Sequence, residues 1–288
     1  MKHIRPFVFG LIACGIAVAM ATNLSAETAS QGTSQGTVKV MRIKGSARYH
    51  TGNNSWQILK EGDVLKSGAV IQTARDSLVD LVLNNPNAVL PPDITTTPPV
   101  NGQSSQTSVS SVKQDVIRMW EDTILAIDKL TVTQTGVDRV TETQLDLQRG
   151  HILGTVKKLS AASVYEIKIP NGVAGIRGTI YDIWADGRLD VLGGPDSKVV
   201  IVITKPDGSQ INQTVGMGSE FNPASGQQSI IPGFNPNDPG NPAPDSPYDN
   251  LLHGIPSWFF PVEWFYVPDH TIHFISETHR HHHGSGRG

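Results

Sequence analysis

The chain has 288 residues, 23 Lys and Arg against 26 Asp and Glu, a formal net charge of −3 and only 17% charged residues. So little charge, with Gly, Pro, Ser, Thr, Asn and Gln abundant, argues against a helical cytosolic enzyme and for an all-β, turn-rich secreted protein. The mildly acidic balance also lacks the basic footprint of a nucleic-acid binder.

Residues 1–26 read as a secretory signal peptide. Lys2 and Arg5 form its positive start, FVFGLIACGIAVAMA its apolar stretch, and Leu24-Ser25-Ala26 a small-residue cleavage signal before Glu27. The expected location is therefore periplasmic or secreted. Two alternatives stand beside cleavage. One is a retained membrane anchor, because residues 6–22 are almost long enough to span a bilayer. The other is a lipoprotein at Cys14 in LIAC, although the residues after Cys14 stay apolar. Cleavage removes two cations and no acid, taking the charge from −3 to −5. Cys14 is the only cysteine, so the mature chain is expected to have no disulfide and no thiolate nucleophile.

Residues 27–36 read as a flexible polar leader, and a β-domain is expected over 37–222. TVKVMRIKGSARYH alternates imperfectly: Val38 and Val40 share a parity with Arg42, Met41 and Ile43 take the other, and Gly45 ends the strand. The next stretch, WQILKEGDVLKSGAVIQTARDSLVDLVLNN, gives short strands separated by tight turns. Residues 86–111, rich in Pro, Ser and Thr with two Pro-Pro pairs, read as an insertion loop. Strand character resumes in VIRMWEDTILAIDKLTVTQTG, and TQLDLQRGHILGTV reads as a strand pair turning at Gly150. Two further hairpins turn at Asp186-Gly187 and Pro206-Asp207-Gly208. Residues 223–247, dominated by Pro, Gly and Asn, read as a linker or extended spacer.

The C-terminal segment, 248–288, differs in kind. Eight of the eighteen aromatic residues fall between Tyr248 and Phe274, and seven of the ten histidines lie after residue 250. One reading is that the segment folds back over an open sheet face. The other makes Trp258, Phe259, Phe260, Trp264, Phe265 and Tyr266 a docking element for a partner or a peripheral contact with the membrane surface. HRHHHG at the end has imidazoles for a divalent metal but equally suits a solvated tail.

The run PNGVAGIRGTIYDI places Gly172, Gly175, Arg177, Gly178 and Thr179 before an alternating strand. No Lys-Ser/Thr follows Gly178 as a Walker loop requires, and the glycine spacing is wrong for a dinucleotide fingerprint. A KH-type loop sits between helices, which this run does not. The glycines are expected to serve backbone geometry in a loop that feeds a core strand, with Arg177 satisfying local carbonyls or a carboxylate.

YEIKIPNGVAGIRGTIYDI resembles the hallmark of the FecR domain family: a strand ending in an apolar-Pro pair, a short loop, then an Arg-Gly-Thr run into a strand. Upstream, GSARYHTGNNSWQILKEGDVLKSGAVIQTARDSLVDLVL is similar to the family's opening, with Gly45, Trp56 ahead of Leu59, Gly62-Asp63, Gly68 and Thr73 in place. LDLQRGHILGTV and KVVIVITKPDGSQINQTVGMGSEF resemble its middle strand pair and last hairpin. The likeness spans about 38 to 222, interrupted by the 86–111 insertion, and its most specific residues are Gly175, Arg177, Gly178 and Thr179. It implies an all-β extracytoplasmic module for binding, sensing or scaffolding at the bacterial cell envelope. The anti-sigma activity of the name-giving regulators does not carry over, because only five residues precede the apolar run.

No catalytic, cofactor or metal motif is present: there is no Gly-x-Ser-x-Gly, no His-Glu-x-x-His and no EF-hand loop. Asp63, Asp76, Asp80, Glu121 and Asp122 are expected at turns and strand ends, and His50 and His151 beside turns on the surface. The expected function is non-enzymatic, without cofactor, and the partner is an envelope protein or glycan of undefined identity. The alternatives are an envelope carbohydrate-active enzyme and a membrane-tethered regulator of transmembrane signalling.

Overall fold

The computed structural model describes residues 32–52, 55–84, 87, 114–136, 138–193, 197–236 and 243–253, together with the backbone of 264–267 and 271–274. The expected signal peptide at 1–26, the expected insertion at 86–111 apart from Asn87, the aromatic residues 258–260 and the side chains of Trp264, Phe265 and Tyr266 lie outside the described residues.

The expected all-β class holds: two large sheets carry nearly the whole described chain. The first runs in spatial order through β17 (Gln210–Gly216), β16 (Lys198–Thr204), β13 (Gly172–Ile176), β12 (Val164–Ile169), β10 (Asp138–Arg149), β9 (Ile124–Thr135), β6 (Ala69–Thr73), β3 (Ala47–Thr51) and β4 (Gln57–Ile58). A short β1 (Thr33–Gln35) pairs with β9. The second sheet runs through β19 (Gln227–Ile230), β18 (Ser219–Asn222), β15 (Leu189–Gly193), β14 (Ile180–Trp184), β11 (His151–Thr155), β8 (Val116–Met119), β7 (Leu78–Leu83), β2 (Val38–Lys44) and β5 (Val64–Leu65). β20 (Trp264–Val267) and β21 (Thr271–Phe274) form a separate hairpin, and α1 (Pro247–His253) is the single helix described.

Apart from β4 and β5, which add beyond β3 and β2, sequence order and spatial order run together in both sheets. The chain lays one or two strands in one sheet, crosses to the other, and repeats. Alternating side chains therefore meet between the sheets, where Val40, Ile71, Leu81, Leu125, Leu145, Ile167, Tyr181, Val191 and Ile201 are buried in one continuous core.

Several crossings need a left-handed residue. Gly150 was expected to turn a hairpin, but β10 and β11 lie in different sheets, and Gly150 is the corner between them. Its φ is +79°, and a Cβ there would stand 2.6 Å from the Cα of Thr123. Asp76 and Asp122, with φ of 54° and 52°, take the corners from β6 to β7 and from β8 to β9. Hydroxyls tie these corners together. Thr73 Oγ1 donates to Trp120 O and accepts from Thr123 N, and Thr123 Oγ1 in turn accepts from His151 N.

The imperfect alternation of β2 is a β-bulge. Val40 pairs with Leu81 and Arg42 with Asp80, so Met41 is the extra residue. The bulge turns Arg42 toward Asp80 and returns Ile43 to the core side.

The stretch read as a linker is partly structured. Residues 227–230 form β19 against β18, and Ile231, Tyr248 and Leu252 are buried with Val82, Val116, Leu153, Ile180 and Leu192 in a second cluster. This cluster lies on the outer face of the second sheet. Tyr248 donates its hydroxyl to Leu192 O at 2.8 Å and packs edge-on against Phe234. Tyr248 and Leu252, at the start of the C-terminal segment, thus cover part of a sheet face; the later aromatic residues that separate the fold-back reading from the docking reading lie outside the described side chains.

Candidate functional site

The Arg177-Gly178-Thr179 run is a crossing between sheets. Gly172 and Gly175 were expected in a loop, but they belong to β13, hydrogen-bonded between β12 and β16. Only 177–179 is irregular, and it carries the chain from β13 in the first sheet to β14 in the second. Gly178 has φ +69°, and a Cβ would sit 3.3 Å from the Cα of Lys158. At Gly175 the nearest atom to a Cβ is 3.9 Å away, so neither space nor φ demands glycine there.

Thr179 is buried, and its hydroxyl donates to Gly193 O at 2.7 Å. Ser197 Oγ donates to Gly178 O, and Val156 N to Thr179 O. Arg177 is exposed, and its Nη2 donates to the carbonyls of Ser160, Ala161 and Ser163 at 3.2, 2.7 and 3.3 Å. The carbonyl partners expected for Arg177 are present; its position is at the surface. The clamped segment, 156–163, is the connection from β11 to β12.

Lys157, within that connection, also lines a cavity of about 430 Å³ together with Leu83, Asn84, Gln114, Asp115, Arg139 and Thr141. The first sheet contributes Arg139 and Thr141 from β10. The second contributes the end of β7, the start of β8 and the residues after β11, so the cavity occupies the mouth between the sheets. Asp115 is buried, accepts the backbone N–H of Lys157 at 3.0 Å, and is pushed above the usual carboxylate range by burial, against the pull of Lys157 and Arg139. Arg139 and Lys157 are exposed. Arg139 Nη2 donates to Asn84 O at 3.1 Å. Among the described residues, the side-chain amide of Asn84 and Oε1 of Gln114 are buried without hydrogen-bond partners. Buried polar atoms of this kind carry a desolvation cost unless something else satisfies them. The motif supports the cavity at one remove: Ser163, whose carbonyl Arg177 holds, accepts the N–H of Thr141 through its Oγ.

A second polar feature crosses the outer face of the second sheet. Register places Arg42, Asp80, Arg118, Leu153, Asp182, Asp190, Glu220 and Ser229 in one row over eight strands. Asp80 was expected at a turn or strand end; it is fully buried in β7 and takes a two-pronged contact from Arg118 at 2.7 and 2.8 Å. Beyond Leu153 the row is acidic. Burial, then Asp190, raises Asp182 well above the usual carboxylate range, and burial, then Glu220, pushes Asp190 up to about 6.

The surface position expected for His151 also needs correction. It stacks between Trp120 and Trp184 with ring centroids 5.6 and 5.0 Å away, and Arg188 covers Trp184 at 4.9 Å. Burial, then Arg188, pushes His151 down to about 4. Trp184 is thus in contact with both His151 and Arg188 within the protein. Asp63 does cap a turn, accepting Lys60 N, and Glu121 accepts Asp76 N. His50 packs edge-on against Trp56, over which Arg48 lies.

Sequence reasoning missed the cavity because its lining comes from four separated stretches. The central charges of the row left a legible trace: each of LVDLVL, VIRM and IYDIW sets one charge in the middle of an apolar strand. Among the described residues no group of three His, Cys, Asp or Glu is placed to hold a metal, and no helix is long and apolar enough to cross a membrane. No family model, curated protein or solved structure matches the chain.

Proposed function

We propose that the chain is a non-enzymatic, FecR-like binding module of the bacterial cell envelope, and that its ligand is an acidic glycan unit held at the mouth between the sheets. The observation that carries this reading is the cavity lined by Arg139, Lys157, Asn84, Gln114 and Asp115. Two exposed cations suit a carboxylate on the ligand. The buried amide and carbonyl atoms of Asn84 and Gln114 suit hydroxyl groups, which both donate and accept. The signal-peptide pattern supports the envelope location, and the Arg177-Gly178-Thr179 run supports the family likeness.

The test is calorimetric titration of the full-length mature protein with a glucuronate-containing oligosaccharide and with its neutral counterpart. Binding of the acidic probe, weakened at least about tenfold in Lys157→Ala or Arg139→Ala, supports the reading. Equal binding of both probes, or none, rejects it.

Asp182 and Asp190 favour one rival. They are cross-strand neighbours, and burial holds the proton on Asp182 well above the usual range while Asp190 ionises at about 6, the split between donor and carboxylate that an acid pair uses. Release of reducing ends from the probe, abolished in Asp190→Asn, would establish that rival. Mass spectrometry of the purified N-terminus decides the tethered-regulator alternative: a start at Glu27 excludes both the anchor and a lipid on Cys14.

A further inference from the structure

The two ends of the stacked sheets are not alike. At one end the outermost strands are β4 and β5, two residues each, set among Lys60, Glu61, Asp63 and Lys66. Short strands flanked by charge are a common protection against pairing with another chain. At the other end the outermost strand of the first sheet is β17, seven residues of sequence Gln-Ile-Asn-Gln-Thr-Val-Gly. It contains no charged residue and no proline, and it pairs with β16 over its whole length without a bulge. Its neighbour in the second sheet, β19, is equally uncharged, and Gln213 of β17 donates to Gln228 of β19 at 3.2 Å. Val200 and Ile230 are exposed at the same end.

The backbone of β17 has a definite outward side. Lys205 N donates to Ser209 O, and Met217 N to Ser197 O. Antiparallel pairs alternate between bonded and non-bonded, so Ile211, Gln213 and Val215 bond inward to β16. On the other flank of β16, Thr204 N donates to Asn171 O, which fits the same alternation. Gln210, Asn212, Thr214 and Gly216 therefore direct their N–H and C=O groups away from the sheet.

We propose that β17 is a self-association edge that pairs antiparallel with β17 of a second copy of this chain. The strand is self-complementary about Gln213. A two-fold axis there sets Asn212 against Thr214 and Gln210 against Gly216, all outward-directed positions; Thr214 O, which accepts Gln213 Nε2 at 3.0 Å, exchanges that bond for the N–H of the second copy, and the other outward groups gain a partner. The same register sets Ile211 against Val215 on the core side. With no charge on the strand, no like charges meet across the axis. The contact is smaller than a standard stable interface, so association is weak and concentration-dependent.

Sedimentation velocity on the full-length mature protein, up to about 1 mM, tests this. Asn212→Pro removes one outward N–H while leaving the inward bonds of β17, a substitution that an edge strand accepts. Asn212→Lys places a charge beside its symmetry mate. The expected result is a monomer–dimer equilibrium whose Kd rises at least about tenfold in both variants, with thermal melting measured at low concentration unchanged. If Asn212→Pro does not fold, Asn212→Lys decides. A wild-type protein that stays monomeric throughout, or a dimer that persists in a folded variant, overturns the proposal.

Discussion

Gly178 and Gly218 hold equivalent places in successive layers of the stack. Their φ angles are +69° and +70°, each follows a strand of the first sheet, and each precedes a buried hydroxyl, Thr179 or Ser219, at the start of a strand in the second. The family-like run is thus one instance of a corner that the fold uses again forty residues on. Both glycines hold a conformation that L side chains rarely adopt, and both sit at a close approach: a Cβ on Gly218 would collide with the ring of Phe234.

Replacing these glycines separates backbone need from mere family likeness. Gly178→Ala is expected to cost about 1–2 kcal/mol, and Gly218→Ala more, because Phe234 must also move. Gly175→Ala is expected to be neutral within about 0.5 kcal/mol, since its φ is ordinary and its space open. Urea unfolding of the three variants checks the order.

Arg177→Ala removes the donor that holds three carbonyls of the 160–163 turn, at an expected cost of about 1 kcal/mol because the side chain is exposed. All three contacts fall on one nitrogen, so Arg177→Lys should recover part of the loss. Affinity for the acidic glycan should change less in Arg177→Ala than in Lys157→Ala. Melting and titration on the same preparations give both values.

The acidic half of the outer row makes stability depend on pH. Asp190 holds its proton to about pH 6 when folded, against an ordinary 3.8, so the folded form binds the proton more tightly than the unfolded chain does. Its contribution is complete below the ordinary value and is lost as pH rises through about 6. Asp182 acts in the same sense. His151 opposes them: it prefers the neutral form when folded, so stability falls as pH drops from the ordinary 6.5 toward about 4. Asp190→Asn should therefore raise stability near pH 8 by about 1–3 kcal/mol and leave it little changed near pH 4. Chemical unfolding across that range reads the slope.

Arg118→Ala removes the two-pronged partner of the fully buried Asp80 carboxylate, leaving Arg42 at 4.0 Å, and should cost about 3 kcal/mol. Replacing both partners with apolar residues of similar volume should restore much of that loss. Thermal unfolding of the single and paired variants distinguishes a stranded charge from lost packing.

Truncation before Pro247 takes away Tyr248 and Leu252, and with them cover for Val82, Val116, Ile180 and Leu192. The truncated protein should bind a hydrophobic dye and aggregate. Unchanged melting with no dye binding would show that the helix is dispensable to the sheet beneath it.

The hairpins at Asp186-Gly187 and Pro206-Asp207-Gly208 were legible because local chemistry alone selects such turns. Gly150 was misread because a glycine with positive φ serves a hairpin and a sheet-to-sheet corner alike; what separates them is which strand the next segment pairs with, a non-local fact. The linker reading failed at β19 for a related reason: Gln-Gln-Ser-Ile has no apolar alternation, and pairing with β18 holds it. The residues of the cavity look ordinary one by one, and Asn84 and Lys157 acquire meaning only when the sheets bring them together.

The central claim is that the mouth between the sheets binds an acidic glycan through Arg139 and Lys157. Calorimetric titration of wild type and Lys157→Ala with the glucuronate-containing oligosaccharide tests it most directly. The account predicts saturable binding by wild type, a loss of at least about tenfold in the variant, and identical melting of the two proteins. Equal affinity in wild type and variant, or no heat from either, would contradict it.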